Sequence, residues 1–298
     1  MPDADFRCGR VAIIGRPNVG KSTLINALVN EHLSITSRKP QTTRVQVLGI
    51  VNRPDAQFIL VDTPGFQQRH KTALTKRMNE SVRASLHDVD VVLLVIDAAR
   101  WTRDDERMLE LLPRPEGGAA VVLVVNKTDR LARRELLLPL IADCATRYPF
   151  AAIVPVSAER GHQLEDLLGA IRPLMPPGEP LYEAELYTDR TVRFLAAELI
   201  REKAFRLLGD EIPYGIAVSI DAWEENDALS IAATLWVERD SQRGIVIGAG
   251  GAKLREIGRL ARAEIMQLVD RPVHLATHVR VRRDWSNDRR ALGELGYE

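Results

Sequence analysis

Cysteine is nearly absent: Cys8 and Cys144 are the only two in 298 residues. Two such residues build no disulfide framework, so a reducing compartment is expected. Net charge is absent as well, with 41 basic residues against 41 acidic ones, and overall charge therefore identifies no partner. No stretch approaches the ~20 apolar residues that a membrane span needs. The opening Met1-Pro2-Asp3-Ala4-Asp5-Phe6-Arg7 has no apolar signal core. A soluble, cytoplasmic protein is the expectation. His32, His70, His87, His162, His274 and His278 stand at no spacing that builds a metal cage with the cysteines, and read as surface or packing residues. What remains is ordinary globular composition, 45% hydrophobic and 28% charged, in a length that suits about two domains.

One stretch organises the chain. Gly15-Arg16-Pro17-Asn18-Val19-Gly20-Lys21-Ser22, followed by Thr23, fits the phosphate loop G-x-x-x-x-G-K-[S/T]. Gly15 and Gly20 let the backbone fold tightly with N–H groups aimed inward at phosphate. Lys21 supplies a cation for the outer phosphates and Ser22 a hydroxyl for Mg²⁺. The apolar run Val11-Ala12-Ile13-Ile14 before it reads as a buried strand. Ser22 to Val29 reads as a helix whose positive dipole end faces the anion.

The remaining motifs follow in order. The polar stretch Ser34 to Arg44 is a loop in which a threonine, Thr43 in preference to Thr42, completes the Mg²⁺ shell opposite Ser22. Strands are expected at 45–51 and 57–61, with a turn over Asn52-Arg53-Pro54-Asp55. The second ends in Asp62-Thr63-Pro64-Gly65, where the Asp contacts hydrated Mg²⁺ and the Gly65 N–H meets a terminal phosphate. Loss of that phosphate would release the following loop. A helix-prone segment spans 67–87, a central strand 91–96, a helix 104–112 and a strand 119–125. The last delivers Asn126-Lys127-Thr128-Asp129. A carboxylate such as Asp129 accepts from guanine N1–H and the exocyclic amine, whereas adenine would leave it unpaired, at ~1–3 kcal/mol or more. Asn126 would brace the loops and the Lys127 stem would cover one base face. A helix over 133–147 and a strand over 150–156 lead to Ser157-Ala158, where the Ala158 N–H would meet the guanine carbonyl oxygen. A helix over 161–171 closes the domain. Strands alternate with helices and each motif sits at a strand's carboxyl end, the ligand rim of a doubly wound, mostly parallel α/β sheet.

Pro176-Pro177-Gly178-Glu179-Pro180 breaks the pattern, so 1–175 reads as the nucleotide-binding domain, 176–189 as a linker and 190–298 as a second, α+β domain with a tail. Helix is expected over 191–208, strands over 215–220 and 229–237, a long helix over 252–269 and a strand over 273–283. Gly248-Ala249-Gly250-Gly251 opens that long helix as G-x-x-G, the loop that clamps backbone nucleotides in KH domains. Charge placement agrees. Asp210 to Glu238 holds seven acids and no Lys or Arg, whereas Arg239 to Arg290 has a net charge of +6. Lys253, Arg255, Arg259 and Arg262 recur along the helix behind the glycine loop, a stripe that suits a phosphate backbone.

These boxes resemble those of the regulatory GTPases, and more closely the Era family of ribosome-assembly GTPases, Era/TrmE-type enzymes with a type-2 KH domain. Gly15–Thr23, Lys39-Pro40-Gln41-Thr42-Thr43-Arg44 and Asp62–Gly65 look like that family's versions, and the likeness extends through the tail at 285–297. One departure is Ala249, where the family usually carries Lys. The resemblance implies a monomer that hydrolyses GTP slowly with Mg²⁺, binds GTP and GDP, and grips 16S ribosomal RNA near its 3′ end through the KH domain. It also implies a role in 30S subunit maturation and peripheral association with the inner membrane. Two other classes stay open on residues alone: a signalling GTPase whose C-terminal domain recruits protein, and an RNA chaperone with a vestigial nucleotide domain. Ras-type enzymes orient water with a Gln directly after the D-x-x-G glycine. Here that position is Phe66, and Gln67 and Gln68 are out of register. The expected substitute is backbone of the loop 37–43 with K⁺ beside the phosphates and Asn18 as its side-chain ligand, as resemblance to K⁺-dependent GTPases implies.

Overall fold

The apolar run 91–96 is buried on both sides because alternate residues of a strand face opposite ways. Val91, Leu93 and Val95 pack with Val11, Ile13, Leu24 and Ile25, while Val92, Leu94 and Ile96 pack with Val82, Met108 and Cys144. The structure, a computed structural model, describes residues 5–36, 42–66, 72–114, 118–209 and 212–297. The chain divides into two units, one of 5–36, 43–66 and 78–189, the other of 190–297 together with Thr42 and 72–77. Among the described residues no helix is long and apolar enough to cross a membrane.

In chain order, up to Asp189, come β1 (Arg7–Ile14), α1 (Lys21–Val29), β2 (Val47–Arg53), β3 (Ala56–Asp62), α2 (Ala73–Ala84) and β4 (Val91–Asp97). There follow α3 (Arg103–Leu109), β5 (Ala120–Asn126), α4 (Leu137–Ala145), β6 (Ala152–Pro155) and α5 (Leu164–Ile171). The six strands order as β2-β3-β1-β4-β5-β6. Only β2 runs antiparallel to its neighbour. Since β3 lies on one side of β1 and β4 on the other, the winding reverses at β1. The carboxyl end of β1, where the phosphate loop leaves, is the ligand crevice of such sheets.

Three local expectations change. The turn expected over 52–55 shrinks to Pro54 and Asp55, because Arg53 pairs with Ala56 across the hairpin. Pro54 has no N–H to lose at that turn. The helix expected over 133–147 begins as a 3-10 turn, Arg134–Leu136, and is α-helical only over Leu137–Ala145. Pro139 falls in its first turn, where a missing N–H breaks no helical bond. The stretch 176–189, expected as a linker, is bonded along its length to the first unit. Gln57 is fully buried; its Oε1 accepts from the N–H groups of Leu181 and Tyr182 at 2.8 and 3.0 Å. Ile50 N–H donates to the Tyr187 carbonyl at 2.9 Å and Thr188 Oγ1 to the Leu48 carbonyl at 2.7 Å.

The second unit holds α6 (Val192–Leu207), β7 (Ala217–Glu225), β8 (Leu229–Val237), α7 (Asp240–Ile247), α8 (Ala252–Val269), β9 (Val273–Val281) and α9 (Arg289–Glu294). Thr191 caps α6, accepting from the Phe194 N–H at 3.2 Å. β7 and β8 form an antiparallel hairpin and β9 runs parallel to β8. Leu199, Ile200, Ala204, Leu235, Ile257, Ala261 and Ile265 share its core. Arg201 is fully buried there. Its guanidinium pairs with Glu198 at 2.6 Å, lies over the Phe205 ring and donates to the Thr42 carbonyl. The tail is anchored by Trp285, also fully buried. Its Nε1 donates to the Gly215 carbonyl at 3.0 Å, and its ring stacks on Tyr297 at 5.7 Å.

Candidate functional site

Close approach dictates the glycines of the phosphate loop. Gly20 has φ 99°, and a Cβ there would lie 2.4 Å from Asn126 Nδ2. Lys21 is buried, and its Nζ donates to the carbonyls of Gly15 and Arg16 at 3.0 and 3.1 Å. Burial lowers the Lys21 pKa to about 8, with Asp62 opposing and Arg16 adding to the shift. The loop is further held by Arg16, whose Nε donates to both Asp105 oxygens at 3.0 and 3.1 Å. Asp105 is fully buried on α3, where it also accepts from Thr102 Oγ1 at 2.6 Å in a capping box.

Three oxygen-bearing side chains from separate elements converge beside Lys21. Ser22 Oγ and Thr43 Oγ1 lie 2.8 Å apart, and Thr43 Oγ1 donates to Asp62 Oδ2 at 3.2 Å. Thr43, the residue expected to ligate Mg²⁺, lies within hydrogen-bond reach of Ser22. Asp62 is fully buried, and its Oδ1 has no hydrogen-bond partner. Burial pushes its carboxyl pKa up, with Lys21 and the Ser34, Thr43 and Ser22 hydroxyls opposing. A buried carboxylate oxygen without a donor needs a compensating charge or ligand. Two hydroxyls and a carboxylate are hard oxygen donors of the kind Mg²⁺ takes, so the residues fit that ion. Beyond Asp62, Thr63 turns its hydroxyl to the Ile13 carbonyl at 2.7 Å and so braces β1. Pro64 is buried, and Gly65 packs against Pro17 so closely that a Cβ would lie 3.1 Å from the ring. Of the loop 37–43, residues 37–41 lie outside the described residues, as do Gln67 and Gln68.

The Asn126–Asp129 motif is tied to the loop 15–22 through consecutive residues. Asn126 Nδ2 donates to the Val19 carbonyl at 2.9 Å, and Lys127 Nζ to the Asn18 carbonyl. Asn126 Oδ1 accepts from the N–H groups of Lys127 and Ala158 at 2.8 and 3.0 Å. The Ala158 N–H, expected to meet the guanine carbonyl oxygen, donates here to Asn126. Ser157 Oγ donates to Asp129 Oδ1 at 2.5 Å, which aims the carboxylate. Sequence reasoning missed Asp97, Asp105 and Thr102. Asp97 carried a faint signal, an acid directly after the apolar run 91–96. Asp105 carried none, since charge is usual on an amphipathic helix.

In the second unit the helix α7 before the glycine loop is a further addition. Ile245-Val246-Ile247 forms its last turn. Gly248, Gly250 and Gly251 have φ 72°, 53° and 79°, so the chain reverses between α7 and α8 within a single glycine-rich turn. Lys253, Arg255, Arg259 and Arg262 are exposed, as a phosphate-binding stripe requires. Two of them are engaged: Arg255 Nη1 donates to the Gly250 carbonyl at 2.7 Å, and Arg259 pairs with Glu256 at 2.7 Å.

Residues 10–127 match a family described as 50S ribosome-binding GTPase, and residues 211–286 match the KH domain. The chain is 50% identical to GTPase Era of Bordetella avium over 299 aligned positions, covering 100% of both chains. To GTPase Era of Xylella fastidiosa strain M12 it is 48% identical, covering 98% of each. It superposes with TM-score 0.94 and 39% identity on a crystal structure of Era with MgGDPNP and nucleotides 1506–1542 of 16S ribosomal RNA, covering 98% of this chain and 99% of that one. The same values hold against a single-substitution variant of Aquifex aeolicus Era bound to GDP and AlF₄⁻. Identity at this level across the whole length, with a complete set of GTP motifs and a KH hinge in the same order, places the chain in the Era family of GTPases.

Proposed function

We propose that this GTPase is a switch that binds small-subunit ribosomal RNA near its 3′ end and assists maturation of the 30S subunit. The observation that carries the reading is the union, in one chain, of the Ser22–Thr43–Asp62 oxygen cluster with a positive-φ G-x-x-G hinge opening a basic helix. The relative that superposes over nearly the full length holds a Mg²⁺–GTP analogue and a 16S fragment together.

The residues divide the work. Lys21 neutralises the outer phosphates. Ser22 and Thr43 would ligate Mg²⁺ and Asp62 would act through water; the ion would supply charge neutralisation at the phosphates. Gly65 N–H contacts the γ-phosphate. Asp129, aimed by Ser157, accepts from the guanine N1–H and amine, while Lys127 covers the ring. Water attacks the γ-phosphorus, the bond to the β-bridging oxygen breaks, and GDP and phosphate leave. Phe66 cannot hydrogen-bond that water; Asn18 would hold a K⁺ ion, which would supply positive charge beside the phosphates. Asn18 is exposed with φ 66°, which leaves its amide free to turn to an ion. Equal turnover in K⁺ and Na⁺, or an Asn18→Ala variant with an unchanged K⁺ response, would remove the K⁺ assignment.

The phosphoryl group lost on hydrolysis held Thr43 and Gly65, and their release lowers the grip of the Gly248–Gly251 hinge on RNA. Titration of a 16S 3′-terminal fragment against protein loaded with GDPNP or GDP tests this. Tighter binding in the GDPNP state is expected. Identical affinity in both states overturns the switch, and no binding in either overturns the RNA partner.

A further inference from the structure

The Asp97 carboxylate belongs to none of the nucleotide motifs, yet it faces one of them. It sits at the carboxyl end of β4, where it pairs in register with Asn126. Its backbone is fixed there, because the Ala98 N–H donates to the Asn126 carbonyl at 2.8 Å. Its side chain is fixed as well: Oδ1 accepts from the Ala99 N–H at 2.9 Å, and Oδ2 accepts from Lys127 Nζ at 2.8 Å. Lys127 and Asp97 are only 17% and 21% exposed. The same ammonium donates to the Asn18 carbonyl of the phosphate loop.

We infer that Asp97 is a positioning residue for guanine binding: it clamps the Lys127 ammonium against the phosphate loop so that the lysine stem is already laid out where the base will stack. The inference rests on the proposed role of the Asn126–Asp129 motif. Its physical basis is preorganisation. A lysine on four rotatable bonds loses rotamer freedom when it must cover a ring. Here the backbone of Lys127 is left-handed, φ 66°, and two acceptors on different elements hold its far end. The ordering cost is therefore met on folding, before nucleotide arrives. Burial raises the Asp97 carboxyl pKa, but the bonds from Lys127 and the Ala99 N–H, with the Lys127 and Arg16 charges, leave it below the usual carboxylate range. The clamp is thus a charge-assisted one at neutral pH.

An amide cannot replace it. One face of Asp97 meets an N–H and the other an ammonium, both donors, so an asparagine must turn its NH₂ toward one of them. Asp97→Asn and Asp97→Ala are both expected to speed release of a fluorescent GDP from the full chain by about 10- to 100-fold, the effect of one charge-assisted bond. GDP and IDP should lose affinity by the same factor, since the lysine stem touches the ring face and not the exocyclic amine. In an Asp97→Ala/Lys127→Met double variant the losses should not add. Additive losses, or GDP release unchanged in both single variants while the wild type binds GDP, overturn the clamp. Failure of the wild type to bind GDP would instead overturn the reading of the motif. Should Asp97→Ala not fold, Asp97→Asn retains the Ala99 bond and carries the test.

Discussion

Asn126 Nδ2 donates to the Val19 carbonyl across 2.9 Å, although 107 positions separate the two residues. That bond joins the loop after β5 to the loop after β1. Asn126 is 1% exposed and holds two further N–H groups, those of Lys127 and Ala158, through its Oδ1. Asn126→Ala leaves two N–H groups and a carbonyl without their side-chain partner, at about 1–3 kcal/mol for each that stays buried and unpaired. The expected outcome is GDP affinity reduced by about 100-fold or more, with a lower melting temperature of the nucleotide-free protein. Equilibrium titration and thermal melting check both.

Asp129→Asn replaces an acceptor-only carboxylate by an amide with an N–H to offer. Guanine then meets a donor with its own donors, whereas xanthine presents a carbonyl at that edge. The variant should lose GTP affinity by about tenfold or more and gain preference for xanthosine triphosphate. Competition between the two nucleotides measures it, and undiminished GTP selectivity would show that another group reads the base.

Lys253 is exposed directly behind the glycine hinge and, among the described residues, has no ion pair of the kind that engages Arg259. Lys253→Ala should weaken binding to the 16S fragment by a similar factor whatever its sequence. It should also lower the slope of log K against log salt by about 1 or slightly less. Arg259→Ala should change that slope less, because Glu256 already compensates its charge. Salt-dependent titrations of both variants decide the order.

Cys144 is fully buried in the core beneath β4 and β5, and burial, with Asp143 adding and Arg147 opposing, pushes its thiol from 9.0 up to about 11. Below pH 9 folded and unfolded chains both hold the proton. Between pH 9 and 11 only the unfolded thiol ionises, which favours unfolding. The stability advantage of the wild type over Cys144→Ala should therefore stay constant from pH 7 to 9 and shrink from pH 9 to 11. Urea midpoints of the two proteins across that range check the sign.

Some of this architecture follows from local chemistry alone. A phosphate loop needs glycine, lysine and a hydroxyl at set positions, so Gly15–Ser22 announces itself, and the buried strand 91–96 does so through an unbroken apolar run. The helix 252–269 is legible to the residue, because glycine ends the preceding turn and a 3.6-residue apolar spacing follows. α7 was not legible: the run 245–247 suits a buried strand as well as a helix, and the structure makes it the last turn of a helix.

Other features depend on which distant groups meet. Gln57 looks like any polar residue of a half-exposed strand, yet it is fully buried because the chain at 181–182 docks on its amide. The Ala158 N–H reaches Asn126 because β5 and β6 set their loops side by side. Asp97 gains its role from being opposite Asn126 in a parallel register, a pairing that no spacing along the chain encodes. The amino-acid order thus determined the motifs whose partners are phosphate and base, since those partners impose fixed residue types at fixed intervals. The tertiary structure alone decided which side chains hold the motifs in place, because a hydrogen bond across 2.8 Å depends on distance in space and is indifferent to distance in sequence.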